Sequence, residues 1–177
     1  IMWLENKMKL LAQEKQDHRF EPPHSTLHVG QISGGVATNI VSDYTRFEWD
    51  VRVIPKDTIQ TIFDDFFAFC KEREEEVRKL FPGFKITNTL LHPPVPALDT
   101  KETDPIVALT KKISGNNTWR TVAYAAEAGQ FHEAGYQSII CGPGSIEQAH
   151  RANEFTTQEQ LDKCVVMLQK LVVEFSI

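Results

Sequence analysis

Apolar residues along this chain fall into two rhythms, and each switch between them marks an element. Ile1, Trp3-Leu4, Met8 and Leu10-Leu11 recur at helical spacing, with Glu5, Lys7, Lys9 and Glu14 on the opposite face. Pro22-Pro23 ends the connection that follows. From His24 to Ile32 the period falls to two, with Ser25, Leu27 and Val29 on one side and His24, Thr26 and His28 on the other, and the β-branched residues favour a strand. Gly34-Gly35 breaks this run. From Tyr44 to Ile54, Tyr44, Arg46, Glu48, Asp50 and Arg52 oppose Thr45, Phe47, Trp49, Val51 and Val53, which predicts one wet and one dry face before Pro55 closes the strand. Helical spacing returns from Asp57, the expected N-cap, to Leu80, through Ile59, Ile62-Phe63, Phe66-Phe67, Phe69-Cys70 and Val77. The mixed charges of Lys71 to Lys79 read as a solvated face with local ion pairs. Phe84, Ile86, Thr87 and Leu90-Leu91 predict a third strand. This first stretch spells α-β-β-α-β, and a short edge strand near Val36 to Val41 would complete the ferredoxin-like sheet of two split β-α-β units.

His92-Pro93-Pro94-Val95-Pro96 is the Pro-rich stretch and divides the chain into residues 1–91 and 92–177. Beyond it, Asp104-Pro105 opens a helix that Gly115 ends, Trp119 to Tyr124 reads as a strand, Glu127 to Ala134 as a short helix, and Gln137 to Cys141 as a buried strand. That order suits a parallel α/β sheet, although two strands and three helices do not make a self-sufficient doubly wound domain. Gly142-Pro143-Gly144 then turns the backbone sharply. Ser145, Glu147, Gln148, His150, Asn153 and Glu154 crowd the next residues before a helix starts at Thr157, which has Gln160 at capping-box spacing. A loop at the C-terminal end of a strand is where open α/β sheets bind ligands.

Composition changes this picture little. The chain has 177 residues, 41% of them hydrophobic, and a net charge of −5, which argues against a basic surface for nucleic acid or anionic membranes. No apolar run approaches the ~20 residues that span a bilayer, and no targeting peptide is evident. Cys70, Cys141 and Cys164 lack zinc-like spacing and read as reduced core thiols of a cytoplasmic protein.

The segment Cys141 to Phe155, CGPGSIEQAHRANEF, resembles the C-terminal metal-ligand segment of the acetylornithine deacetylase family, within the superfamily of cocatalytic zinc exopeptidases and aminoacylases. Further blocks carry the likeness. They are Ser25 to Gly30, Gly34 to Val41, Phe47 to Arg52, Leu91 to Pro96 and Ala126 to Phe131. Ser42 departs from many relatives, which carry Pro there. The resemblance implies an α+β lid or dimerisation domain over residues 1–91, followed by the C-terminal part of an incomplete α/β zinc-peptidase catalytic domain. It also implies metal-assisted amide hydrolysis of a small N-acyl amino acid, N-acetyl-ornithine in the family's reaction, with two divalent ions (zinc, or cobalt or manganese) and a homodimer formed through residues 1–91. Succinyl-diaminopimelate desuccinylase chemistry and a non-catalytic dimerisation module stand as alternatives.

The same likeness assigns roles residue by residue. His150 takes the position of a metal-binding histidine, against the alternative of a surface loop histidine. Arg52 clamps a substrate carboxylate or instead pairs with Asp50 or Glu48. Asn39 donates its amide to a substrate oxygen or satisfies its own backbone. Glu127 meets a substrate ammonium or answers the dipole of its helix. Gly142, Gly144 and Ser145 offer donors to a carboxylate. His28 and His92 are expected to be structural. The family's His-x-Asp motif, bridging Asp and Glu-Glu pair are absent from these residues, since Glu74-Glu75-Glu76 lies in a charged helical run. The expectation is therefore a C-terminal fragment that carries no general base and is inactive alone.

Overall fold

The computed structural model describes residues 1–176. Contacts divide them into two compact units, one comprising Ile1–Ala97 with Thr121–Ala126 and the other Leu98–Arg120 with the chain from Glu127 on.

In the first unit, α1 (Met2–Glu14) leads to β1 (Thr26–Gly34), β2 (Thr45–Arg52) and α2 (Ile59–Arg78). The two strands pair antiparallel, with Leu27 opposite Val51, Val29 opposite Trp49 and Ile32 opposite Phe47. Gly30 is the extra residue of a bulge between Val29 and Gln31. The bulge moves Ile32 onto the face of Leu27 and Val29, which strict alternation would have given to Gln31. Both helices cover that face. Leu4, Phe66 and Cys70 form one buried cluster with Leu27, Phe47 and Trp49 packed on it, and Met8, Leu11 and Ile62 form a second against Val51 and Val53. Trp49 meets Phe66 edge-on with ring centroids 5.3 Å apart, and Trp3 stacks on Phe69 at 5.2 Å, arrangements that add directionality to apolar burial. The dry and wet faces expected of β2 are thus observed.

A buried polar cluster closes this unit beneath the turn into α2. Ser25 Oγ donates to Asp57 Oδ2 and accepts the Ile54 N–H at 3.0 Å. Asp57 Oδ1 lacks a hydrogen bond of good geometry but lies 3.2 Å from Lys15 Nζ. Asp57 is therefore turned inward instead of capping α2, whose N-cap is Thr58. Beside it, Arg19 grips the buried Asp17 through two nitrogens, with Nε 2.9 Å from Oδ1 and Nη2 2.6 Å from Oδ2.

The second unit holds α3 (Pro105–Ser114), α4 (Ala128–Glu133) and α5 (Gln158–Phe175). Pro105 occupies the first turn of α3, and Gly115 ends it in the left-handed region at φ 72°. Thr157 accepts the Gln160 N–H and caps α5 as its spacing foretold.

Among the described residues the sheet has two strands, and the other strand expectations give way to extended or turn backbone. The bonds these runs make go to side chains, to backbone outside any strand or to a local turn, not to a neighbouring strand. In residues 84–91, the Ile86 N–H donates to Glu74 Oε2 at 2.6 Å. Residues 36–41 fold back through an Ile40 N–H to Ala37 carbonyl bond, leaving Val36 and Val41 exposed. In 119–124, Thr121 Oγ1 donates to the Arg19 carbonyl and Arg52 donates to the Ala123 carbonyl. In 137–141, Gln137 Oε1 accepts the Ile106 N–H, and the Ser138 carbonyl accepts from Thr100 Oγ1. Only Ser138 of that last run is buried, and Cys141 is exposed, so it is no core thiol. The three cysteines are free.

Candidate functional site

The loop after Cys141 concentrates the candidate chemistry of the second unit. Gly144 stands at φ 97°, where a side chain is disfavoured, whereas Gly142 does not adopt positive φ. Ser145 caps a one-turn 3-10 helix, Ile146–Gln148, by accepting the Glu147 N–H at 3.3 Å. That bond engages the hydroxyl as acceptor and leaves its proton available to another group.

His150 follows directly, exposed, with φ 60°, and Asn153 shares this conformation at φ 61°. Left-handed backbone costs a β-carbon residue about 1 kcal/mol or more, so neighbouring contacts must hold it there. Glu154 does so: its Oε2 accepts the His150 N–H at 3.2 Å. In the sequence Glu154 is one polar group among several, and only the fold of the loop brings its carboxylate back to the His150 N–H. The loop therefore presents the imidazole outward from a constrained backbone.

Glu127 is exposed at the N-cap of α4, and its side chain makes no capping bond. In the first unit Asn39 lies exposed in the turn between β1 and β2. Arg52 ends β2 on its wet face, with Nη1 3.1 Å from the Ala123 carbonyl and Nε 3.7 Å from Asp50 Oδ2. Both readings of Arg52 thus have geometry, since the ion pair is long and the guanidinium remains largely exposed. Gly142, Gly144, Ser145 and His150 sit together on one loop. Asn39 and Arg52 belong to the other unit and stand on separate elements within it.

A two-ion centre needs more donors than this. Among the described residues no three His, Cys, Asp or Glu side chains gather where they could hold a metal ion, so His150 belongs to no such group there. Glu74 and Glu76 are occupied by Arg78 and Arg73 along α2. No helix is long and apolar enough to cross a membrane, among the described residues.

Comparison with known proteins gives these positions a context. Residues 4–78 match the peptidase dimerisation domain, a span that takes in most of α1, both strands and α2. Over 172 residues the chain is 33% identical to an acetylornithine deacetylase of Aliivibrio fischeri (strain MJ11), an alignment that covers 97% of this chain and 43% of that protein. It is 30% identical over 172 residues to an acetylornithine deacetylase of Myxococcus xanthus, again 97% of this chain and 44% of the other. The chain thus spans less than half the length of these relatives.

Proposed function

Because this chain is a homologue of acetylornithine deacetylases along nearly its whole length, with a peptidase dimerisation domain at residues 4–78, we propose that it forms part of a metal-dependent deacylase acting on a small N-acyl amino acid, N-acetyl-ornithine first among them. Two divalent ions, zinc or an equivalent, would supply an activated water and polarise the acyl carbonyl. This chain's share is binding and orientation. His150 offers one neutral imidazole as a ligand, and the remaining ligands and the general base come from sequence that these residues do not contain. Arg52 clamps the substrate carboxylate, giving up its single bond to the Ala123 carbonyl. Within the first unit Asn39 is the further candidate, for a substrate oxygen; within the second unit Glu127 is the candidate for a substrate ammonium, and Ser145 with the backbone of Gly142 and Gly144 for a carboxylate. The first unit pairs with a second copy to make a homodimer.

The observation that carries the reading is the pairing of this relationship with the backbone at His150. The histidine of the matched segment is exposed on a loop held in a costly conformation, and a mere surface histidine needs no such constraint.

The test is deacylation by the protein that carries this chain, measured as free amine released from N-acetyl-ornithine and, in parallel, from N-succinyl-diaminopimelate. His150→Ala should cut turnover by roughly a hundredfold with bound metal lost, and Arg52→Lys should raise KM more than it lowers kcat. Full activity in His150→Ala would overturn the assignment. For the 177-residue chain alone, zinc titration should find no tightly held pair of ions, and two would refute the division of ligands proposed here.

A further inference from the structure

A cluster of sulfur atoms in the second unit stands apart from the loop chemistry described above. Cys141 Sγ lies 3.5 Å from Met167 Sδ. Met167 is half-buried on α5 and follows Cys164, also half-buried, by three residues. Helical residues three apart share a face with Cβ atoms about 5–6 Å apart, so the Cys164 thiol and the Met167 thioether face the same way. Cys141 is exposed as a residue, yet its sulfur is tucked beside Met167. That burial, and then the charge of Cys164 close by, push the Cys141 thiol up from its ordinary value. Met167 is thus the shared neighbour, touched by Cys141 from the 137–141 segment and lying on the same helix face as Cys164. None of the three sulfurs has a role in the proposed hydrolysis.

We propose that Cys141, Cys164 and Met167 form a binding site for a soft monovalent metal ion, copper(I) being the representative case. Donor chemistry selects the ion. Two thiolates and a thioether suit copper(I) and are poor ligands for calcium or magnesium, which take oxygen. Structural zinc sites take four nitrogen or sulfur ligands, one more than this cluster provides. Loading is a proton exchange without electron transfer: each thiol releases its proton to solvent, and the ion is held by two thiolate sulfurs and the thioether with a net charge of −1. Cys141 directly precedes Gly142, so a bound ion fastens the start of the His150 loop to α5.

The experiment is an anaerobic titration of the reduced 177-residue chain with copper(I) in the presence of a chromophoric copper(I) chelator, followed by near-ultraviolet absorption from thiolate-to-metal charge transfer. One equivalent should be withheld from the chelator. Cys141→Ser, at an exposed position where folding is not at stake, and Cys164→Ser should each abolish it. Met167→Leu should loosen binding by at least roughly tenfold, the low end of what even a supporting group contributes. Cys70→Ser, in the other unit, should leave it intact. Retention of the ion by Cys141→Ser, undiminished affinity in Met167→Leu, or no retention by the unaltered chain would each overturn the proposal.

Discussion

Ser25 shows how much one hydroxyl can carry. It satisfies Asp57 and the Ile54 N–H together, both out of reach of water, so Ser25→Ala leaves a buried acceptor and a buried donor unpaired. The expected cost is about 1–3 kcal/mol, read as a lower urea midpoint at unchanged slope. Asp17 makes a complementary case through pH. Arg19 first, against the opposing effect of burial, lowers its carboxyl from the usual value of 3.8 to about 2. The folded state thus binds this proton less readily than the unfolded chain. The carboxylate's contribution to stability is complete above pH 4 and drains away as pH falls toward 2. Asp17→Asn should be less stable at neutral pH and should flatten that part of the stability profile, as acid titration followed by circular dichroism would report. The Ser25–Asp57 pair was not legible from sequence. Ser25 looked like one more small residue on a strand face, Asp57 like a helix cap, and their pairing spans 32 positions that no local pattern links.

Helices were legible because their bonds close within four residues and their apolar stripe is written in the same few turns. Among the described residues all five α-helices lie where the periodicity placed them, and the Thr157 and Gly115 signals mark true ends. Strands depend on a partner elsewhere, and a run such as 84–91 has the composition of one while its Ile86 N–H turns to a glutamate of α2. The bulge at Gly30 was invisible for a similar reason, since only pairing with β2 reveals the extra residue. The β1–β2 connection yields a prediction at this scale. A Cβ on Gly34 would come within 2.6 Å of the Tyr44 carbonyl oxygen and 2.9 Å of Thr45 Cα. Gly34→Ala should therefore push the strand ends apart and cost about 1–3 kcal/mol, visible as a lower melting temperature and as altered amide shifts for Thr45 and Asn39.

For the molecule as a whole, burial is uneven. The first unit encloses Leu4, Ile62 and Phe66, whereas α5 has no buried residue along its 18 positions and exposes Val165, Val166, Val172, Val173 and Phe175. Stability should follow burial. Amide exchange of the isolated chain is expected to be faster along α5 than around Ile62 and Phe66 in α2, and equal protection would show that α5 is covered in solution. The resemblance to a known family was legible in short runs such as GPGS and AEAGQF, yet the gathering of three sulfurs on α5 and the 141 segment was not, because their positions in sequence share no motif.

Thr121 to Ala126 crosses the boundary that sequence order would draw. These six residues come from the later part of the sequence but pack with the first unit, through Thr121 on the Arg19 carbonyl and the Ala123 carbonyl on Arg52. Anyone designing a chimaera from this polypeptide cannot cut once and exchange halves, because a gene spliced after residue 97 would discard the strip that occupies those two arginines. Natural shuffling meets the same obstacle: the stretches on either side of that strip must be inherited together.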